Sequence, residues 1–313
     1  MARAFIFPGQ GSQAVGMGGE LAEAFPAARQ VFEEIDDALE QRLFRLMQDG
    51  PESDLVLTEN AQPALMAVSM AVMRVLEAEG NVDLKKSAKF VAGHSLGEYS
   101  ALAAAGAIGL ADTARLLKRR GKAMQRAVPV GEGAMAALLG LSLEEASAVA
   151  EEAAQGEVCA AANDNATGQV VVSGSSAAID RAVEIAKEKG AKKSMRLNVS
   201  APFHCALMQP AADEMRDALE GVTIKAPVVP VVANVTAGAV SDPERIRELL
   251  VMQVTAMVRW RESVLYMKDQ GVGSLHEIGS GKVLATMTRR IDREIEASAV
   301  NTPEDIEKLL ASL

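Results

Sequence analysis

The chain has 313 residues and a formal charge of −10, from 42 acidic and 32 basic side chains. That balance argues against nucleic acid as a partner and gives no reason to expect an anionic membrane surface. Aromatic residues are 3% of a chain that is 49% hydrophobic, so the expected interior is aliphatic and Met packing with the lone Trp260 as the exception, in an α/β protein long enough for one large core and an inserted satellite.

In chain order, residues 4–7 read as a short buried strand, ended by Pro8 and the turn Gly9-Gln10-Gly11-Ser12-Gln13. The opening apolar run is too short for a signal peptide, and no run approaches membrane-spanning length, so a cytoplasmic protein is expected. Helical periodicity covers 27–39 and 62–79, where Pro63 suits a first helical turn. A strand over 90–92 turns through Gly93-His94-Ser95-Leu96-Gly97 into an alanine-rich helix. The helix predicted over 110–126 carries Arg115, Lys118, Arg119, Arg120, Lys122 and Arg126, a dense basic set that asks for an anionic ligand.

From about 131 the texture changes to strand 134–139, helix 143–154, strands 158–162 and 169–173, helix 177–189 and strand 193–197. This βαββαβ order is the split pattern of a ferredoxin-like unit, with Asn163-Asp164-Asn165 and Gly168 expected at its central hairpin turn. Residues 131–197 are therefore read as a small subdomain inserted into a large α/β domain formed by 1–130 and 198–313. The large domain resumes with helical patterns, a strand at 228–233, and a strand at 274–278 that leads through Gly279-Ser280-Gly281-Lys282 into a helix. Its sheet is expected to be mostly parallel, in a hydrolase-like arrangement. The two cysteines, Cys159 and Cys205, stand far apart in the sequence and are read as free thiols, as a reducing compartment allows.

Glycines at 93 and 97 flank Ser95 in the pattern G-x-S-x-G, which lets a chain turn sharply enough to present a hydroxyl at a helix N-terminus. The unpaired N–H groups and positive dipole end there favour the charge that develops on a carbonyl oxygen under attack. Such a serine needs a base, and the chain has three histidines. His94 adjoins Ser95 on an extended strand, so its side chain points to the opposite face; it reads better as a hydrogen-bonding histidine beneath the turn. His276 sits mid-strand among apolar residues, as a core or strand-end histidine. His204, in the loop Ser200-Ala201-Pro202-Phe203-His204-Cys205, is the best-placed base by elimination, with the other two still open.

Several motifs, in one order along nearly the whole chain, resemble those of the malonyl-CoA:acyl-carrier-protein transacylases, the acyltransferases of fatty acid synthesis. They are Phe7-Pro8-Gly9-Gln10-Gly11-Ser12-Gln13, Gln62-Pro63-Ala64, Gly93-His94-Ser95-Leu96-Gly97-Glu98-Tyr99, Arg120-Gly121-Lys122-Ala123-Met124-Gln125, Pro202-Phe203-His204, Asn234-Val235-Thr236 and Glu277-Ile278-Gly279-Ser280-Gly281-Lys282-Val283-Leu284. The resemblance implies ping-pong transfer, with Ser95 as nucleophile and His204 as general base. It implies that a backbone carbonyl orients the histidine, with Asn234 at the matching position, and that Leu96 and Gln10 supply oxyanion N–H groups. Arg120 matches the residue that holds the malonyl carboxylate; a guanidinium fork suits that task, and an unpaired buried one would reject neutral acyl groups. Arg119 is the competing candidate, and the Gly121-Lys122 that follows decides for Arg120.

Gln62 matches a glutamine near the family's site. Phe203 resembles the form selective for malonyl over methylmalonyl groups in polyketide synthase acyltransferase domains. Ser280 replaces a more usual proline, which bears on a turn. The implied partner is acyl carrier protein, with malonyl-CoA and coenzyme A as substrate and product. No bound cofactor or metal is expected, and a monomer is the default. Carrier proteins are usually acidic, so Lys118, Arg119, Lys192, Lys193 and Lys282 are candidate docking residues. The same nucleophile and base would serve an esterase, and a catalytically idle module that docks carrier protein is the other alternative.

Overall fold

A strand flanked on both sides by parallel neighbours has both faces covered and must be apolar where it is buried, and β1 (Ala2–Phe7) meets that demand over Ala4 to Phe7, which are wholly buried, with Arg3 at its half-buried start. A computed structural model describes residues 2–313. In it β1 lies between β2 (Phe90–Gly93) and a later strand, Val272–Ile278, both parallel to it.

The middle of the chain contributes β3 (Gly133–Leu139), β4 (Cys159–Ala166), β5 (Gln169–Ser175) and β6 (Lys193–Arg196). The chain then returns with β7 (Val231–Ala233), β8 (Gly238–Val240), β9 (Val272–Ile278) and β10 (Glu296–Val300). The larger sheet has the order β10-β9-β1-β2-β7-β8, parallel except for β8. The smaller sheet is antiparallel, with the order β4-β5-β3-β6, the strand order of a split βαβ unit. The fold is therefore α/β, with a mostly parallel sheet and a separate ferredoxin-like one. Trp260 is fully buried on one side of the larger sheet, in a cluster with Ile6, Ala92 and Leu275.

Three local expectations are corrected. The segment Asn163-Asp164-Asn165 is not a turn: β4 runs through it with register shifts on either side, leaving only residues 167–168 to connect β4 and β5. The bulges are tolerated because the bulged segment is tied to elements outside the small sheet, Asn163 through a backbone bridge to Val258 and the next two residues through their own polar groups. The Asp164 N–H donates to Val258 O at 3.0 Å, its carboxylate pairs with Arg261 at 2.8 Å, and Asn165 meets His94. Pro63 is not in a first turn either, because the helix Thr58–Gly80 starts four residues ahead of the predicted 62. Strand β7 is shorter than predicted, and β8 and β10 carried no readable signal, being edge strands of three and five residues rich in Gly and Ala.

The register sets the site. Phe7 pairs with Gly93, so the loops after β1 and β2 leave side by side at the carboxyl ends of their strands. A Cβ at Gly93 would overlap the Gly97 carbonyl, and one at Gly97 would overlap Phe7 O. Gly121 does the same for two helices. A Cβ there would lie within 2.7 Å of Thr58 O, so the glycine lets Leu110–Ala127 rest directly on the start of Thr58–Gly80 and brings Arg120 beside Gln62.

Candidate active site

Ser95 has a φ of +54°, the left-handed conformation that a non-glycine residue adopts at a cost of about 1–3 kcal/mol. The turn is held from below by amides. The Ser95 N–H donates to Asn234 Oδ1 at 2.8 Å, Asn234 Nδ2 donates to Gly93 O at 2.7 Å, and Gln253 Nε2 donates to Ser95 O at 3.0 Å. With its own N–H engaged, Ser95 cannot use it for an oxyanion. The N–H groups of Leu96, at the start of helix Gly97–Ala104, and of Gln10 have no acceptor among the described residues, and both residues line the cavity with Ser95. Gly9 allows the approach: a Cβ there would sit 2.8 Å from His94 O.

His204, also at positive φ (+59°), places Nε2 2.8 Å from Ser95 Oγ. Its Nδ1 lies 2.9 Å from a backbone carbonyl, and that carbonyl is Gln253 O, not one from Asn234. The resemblance put the right kind of group at the wrong residue; the Asn234 side chain is committed to the serine turn. A proton on Nδ1 facing that carbonyl leaves Nε2 as the acceptor for the Ser95 hydroxyl. Burial and the nearby Arg120 charge push His204 down to about 3, so the ring is neutral near pH 7.

Arg120 is 1% exposed, whereas Arg119 points outward and pairs with Glu214. The guanidinium of Arg120 donates to Gln62 Oε1 (2.9 Å), Gln253 Oε1 (2.9 Å) and Ser95 Oγ (3.1 Å), and its Nε–H has no partner. A buried cation with no carboxylate in contact is a costly arrangement. It is consistent with a site built to receive an anion beside the nucleophile.

These groups line one cavity of about 350 Å³. Gln10, Ser95, Arg120, Phe203 and His204 come from the larger domain, Met135, Asn163, Asn165 and Val171 from the smaller sheet, and Val283 and Met287 from helix Val283–Ile291. Phe203 is 9% exposed on this wall.

His94 lines the same cavity but makes no hydrogen bond to Ser95 Oγ; its Nε2 lies 2.8 Å from Asn165 Oδ1 and burial lowers its pKa. His276 stays on β9, where Nδ1 meets Ser298 Oγ at 2.8 Å. Ser280 Oγ closes its turn on Ser12 O. Of the candidate docking residues, Lys118 is held by Glu59 and Asn60 and Arg119 by Glu214, while Lys192, Lys193 and Lys282 are exposed.

Gln253 and Glu98 escaped attention as participants. Gln253 ends helix Pro243–Gln253 in the apolar run Val251-Met252-Gln253-Val254, where one buried polar residue was the only signal. Glu98 stood in a quoted motif with no task. Among the described residues, no helix is long and apolar enough to cross a membrane, and no group of three or more His, Cys, Asp or Glu residues is arranged to hold a metal ion.

The family model for the acyl transferase domain matches residues 4–302. The malonyl CoA-acyl carrier protein transacylase of Escherichia coli K12 is 47% identical over 300 residues, covering 96% of each chain. The structure of an acyl-carrier-protein S-malonyltransferase from Bartonella henselae superposes with a TM-score of 0.98 at 57% identity, covering 100% of this chain and 99% of that one. A malonyl-transacylase solved in complex with a type II polyketide acyl-carrier protein has a TM-score of 0.97 at 44% identity, with complete coverage of both chains.

Proposed function

The chain belongs to the acyl transferase domain family of malonyl-CoA:acyl-carrier-protein transacylases, and from that premise we propose that it moves a malonyl group from coenzyme A to the pantetheine thiol of acyl carrier protein through a malonyl-Ser95 intermediate, supplying fatty acid synthesis. The observation that carries this reading is the meeting of three groups at one atom: Ser95 Oγ lies 2.8 Å from His204 Nε2 and 3.1 Å from Arg120 Nη2.

In the first half-reaction, His204 Nε2 takes the hydroxyl proton as Ser95 Oγ attacks the thioester carbonyl. The Leu96 and Gln10 N–H groups receive the oxyanion, and the imidazolium returns its proton to the departing thiolate of coenzyme A. In the second, His204 deprotonates the pantetheine thiol, which attacks malonyl-Ser95 and restores the serine. No aspartate is needed, because the Gln253 carbonyl fixes the tautomer.

Arg120 holds the malonyl carboxylate, with Gln62 and Gln253 steadying the guanidinium. Phe203 crowds the acyl α-carbon. The acyl-CoA and carrier protein are substrates, and the chemistry asks for no metal or bound cofactor. The residues lining the cavity divide between 1–130 or 198–313 and the insert 131–197, which supports that domain division and a pantetheine route between the two parts. Of the five candidate docking residues, Lys192, Lys193 and Lys282 are exposed and form no ion pair among the described residues, which leaves them available to an acidic carrier protein.

The test is the intact mass of the protein after brief mixing with malonyl-CoA or acetyl-CoA. The reading expects a malonyl adduct, little acetyl adduct, and neither in Ser95→Ala. Free malonate accumulating without an adduct or a thiol acceptor would instead mark a hydrolase.

A further inference from the structure

Glu98 is 2% exposed in the first turn of helix Gly97–Ala104, three residues after the nucleophile, and among the described residues it forms no ion pair, its charged neighbour being Arg120. Its Oε2 accepts from Asn234 N–H and from Gln253 Nε2, each at 2.9 Å. The Gln253 amide therefore stands between two buried groups of opposite sign, with Nε2 on Glu98 and Oε1 on Arg120 Nη2. The charged and titratable groups facing Glu98 are Arg120 from helix Leu110–Ala127, Tyr99 beside it, and His204 across the Gln253 backbone; Asn234 and Gln253 themselves bring neutral dipoles.

Resting on the malonyl-transfer reading, we propose that Glu98 is a positioning residue that serves as the internal counter-charge of Arg120, and that entry of the acyl carboxylate is accompanied by fractional uptake of a solvent proton onto Glu98. Before substrate arrives, one carboxylate and one guanidinium share a dry site through Gln253. The malonyl carboxylate adds a second negative charge to the same guanidinium, and like charges near one site cannot both stay ionised without penalty. The proton settles on Glu98, whose Oε2 keeps both of its hydrogen bonds while Oε1 carries the hydrogen. Burial already pushes Glu98 up to about 7, so this exchange falls in the working range of pH. His204, held down at about 3, is a poor competitor for the proton. By linkage, carboxylate binding weakens as pH rises through the Glu98 range.

The experiment follows the second-order rate of Ser95 loading by rapid-quench mass spectrometry between pH 5.5 and 8.5. Malonyl-N-acetylcysteamine thioester, which lacks the titrating phosphates of coenzyme A, is compared with its neutral carboxamide analogue. Wild-type loading with the malonyl probe is expected to fall by about tenfold across the range, the amount that one pKa unit of coupling gives. The carboxamide profile lacks this fall, and Glu98→Gln, which keeps the acceptor but not the charge, flattens the malonyl profile. Equal slopes for the two probes, or an unchanged slope in Glu98→Gln, overturn the proposal. Should Glu98→Gln fail to fold, calorimetry of the malonyl probe binding to Ser95→Ala, in two buffers of different ionisation enthalpy, reads the proton directly. Uptake near pH 7 that vanishes at pH 5 is expected, and binding without uptake refutes the idea. A wild-type enzyme that forms no malonyl adduct at any pH refutes the transfer reading instead.

Discussion

Replacing Arg120 with Met keeps an unbranched apolar stem and removes the guanidinium with its charge and all its donors. In the protein those donors reach Gln62, Gln253 and Ser95 Oγ, with the guanidinium lying over the Tyr99 ring. A malonyl carboxylate held by two charge-assisted hydrogen bonds, at about 1.5–3 kcal/mol each, should lose on the order of 3–6 kcal/mol of transition-state binding. This corresponds to roughly a 10²–10⁴-fold fall in kcat/KM for malonyl-CoA. Acetyl-CoA has no carboxylate to lose, and the variant no longer confronts it with an unpaired buried cation, so its kcat/KM should hold or rise. The substitution also lifts a positive charge from beside His204, and the ring should titrate above its present value of about 3. The assay is steady-state transfer from both donors to carrier protein, with the His204 ring followed by NMR. Equal losses for malonyl-CoA and acetyl-CoA, or a malonyl loss below about tenfold, would show that Arg120 does not select the carboxylate.

Gly121→Ala should destabilise the protein by about 1–3 kcal/mol, since its Cβ would press on the backbone of residues 58 and 59; the midpoint of urea unfolding measures this, and an unchanged midpoint would mean that the two helices separate freely. Arg261→Met leaves the Asp164 carboxylate, 1% exposed at the side chain, without its cation, and should cost about 3–5 kcal/mol at neutral pH. Burial already raises the Asp164 pKa against the pull of Arg261. With the cation gone it rises further, so the deficit should shrink as pH falls and the carboxyl protonates; a deficit that is constant with pH in denaturant titrations would contradict the assignment.

Much of the site was legible because its chemistry is local. The turn 93–97 could be read from its own glycines and serine and His204 by elimination among three histidines, whereas Arg120 and Phe203 were legible only through the motifs that resemble the family's. Groups that act through distant backbone were not legible. The carbonyl facing His204 belongs to Gln253, 49 residues onward, and any residue type offers a carbonyl, so no side chain advertises it. The polar run 163–165 looked like a turn because Asn and Asp favour turns in isolation. Here their partners Val258, Arg261 and His94 lie far along the chain and turn the same residues into a buried strand. In the fold, β1, β2 and β9 were evident from apolar runs, whereas β8 and β10, at the sheet edges, needed only a few small residues.

That buried strand has a consequence for engineering. One wall of the cavity is lined by the smaller sheet, and that sheet is joined to the larger one through residues 163–165 as well as through the chain itself. An exchange of inserts between relatives is thus a change of chamber, and a graft succeeds only when the recipient's counterparts of Val258, Arg261 and His94 match the incoming strand. Under the malonyl-transfer reading, substitutions along that seam reshape one wall of the cavity without touching Ser95, His204 or Arg120, which makes the seam a place to test what the cavity admits.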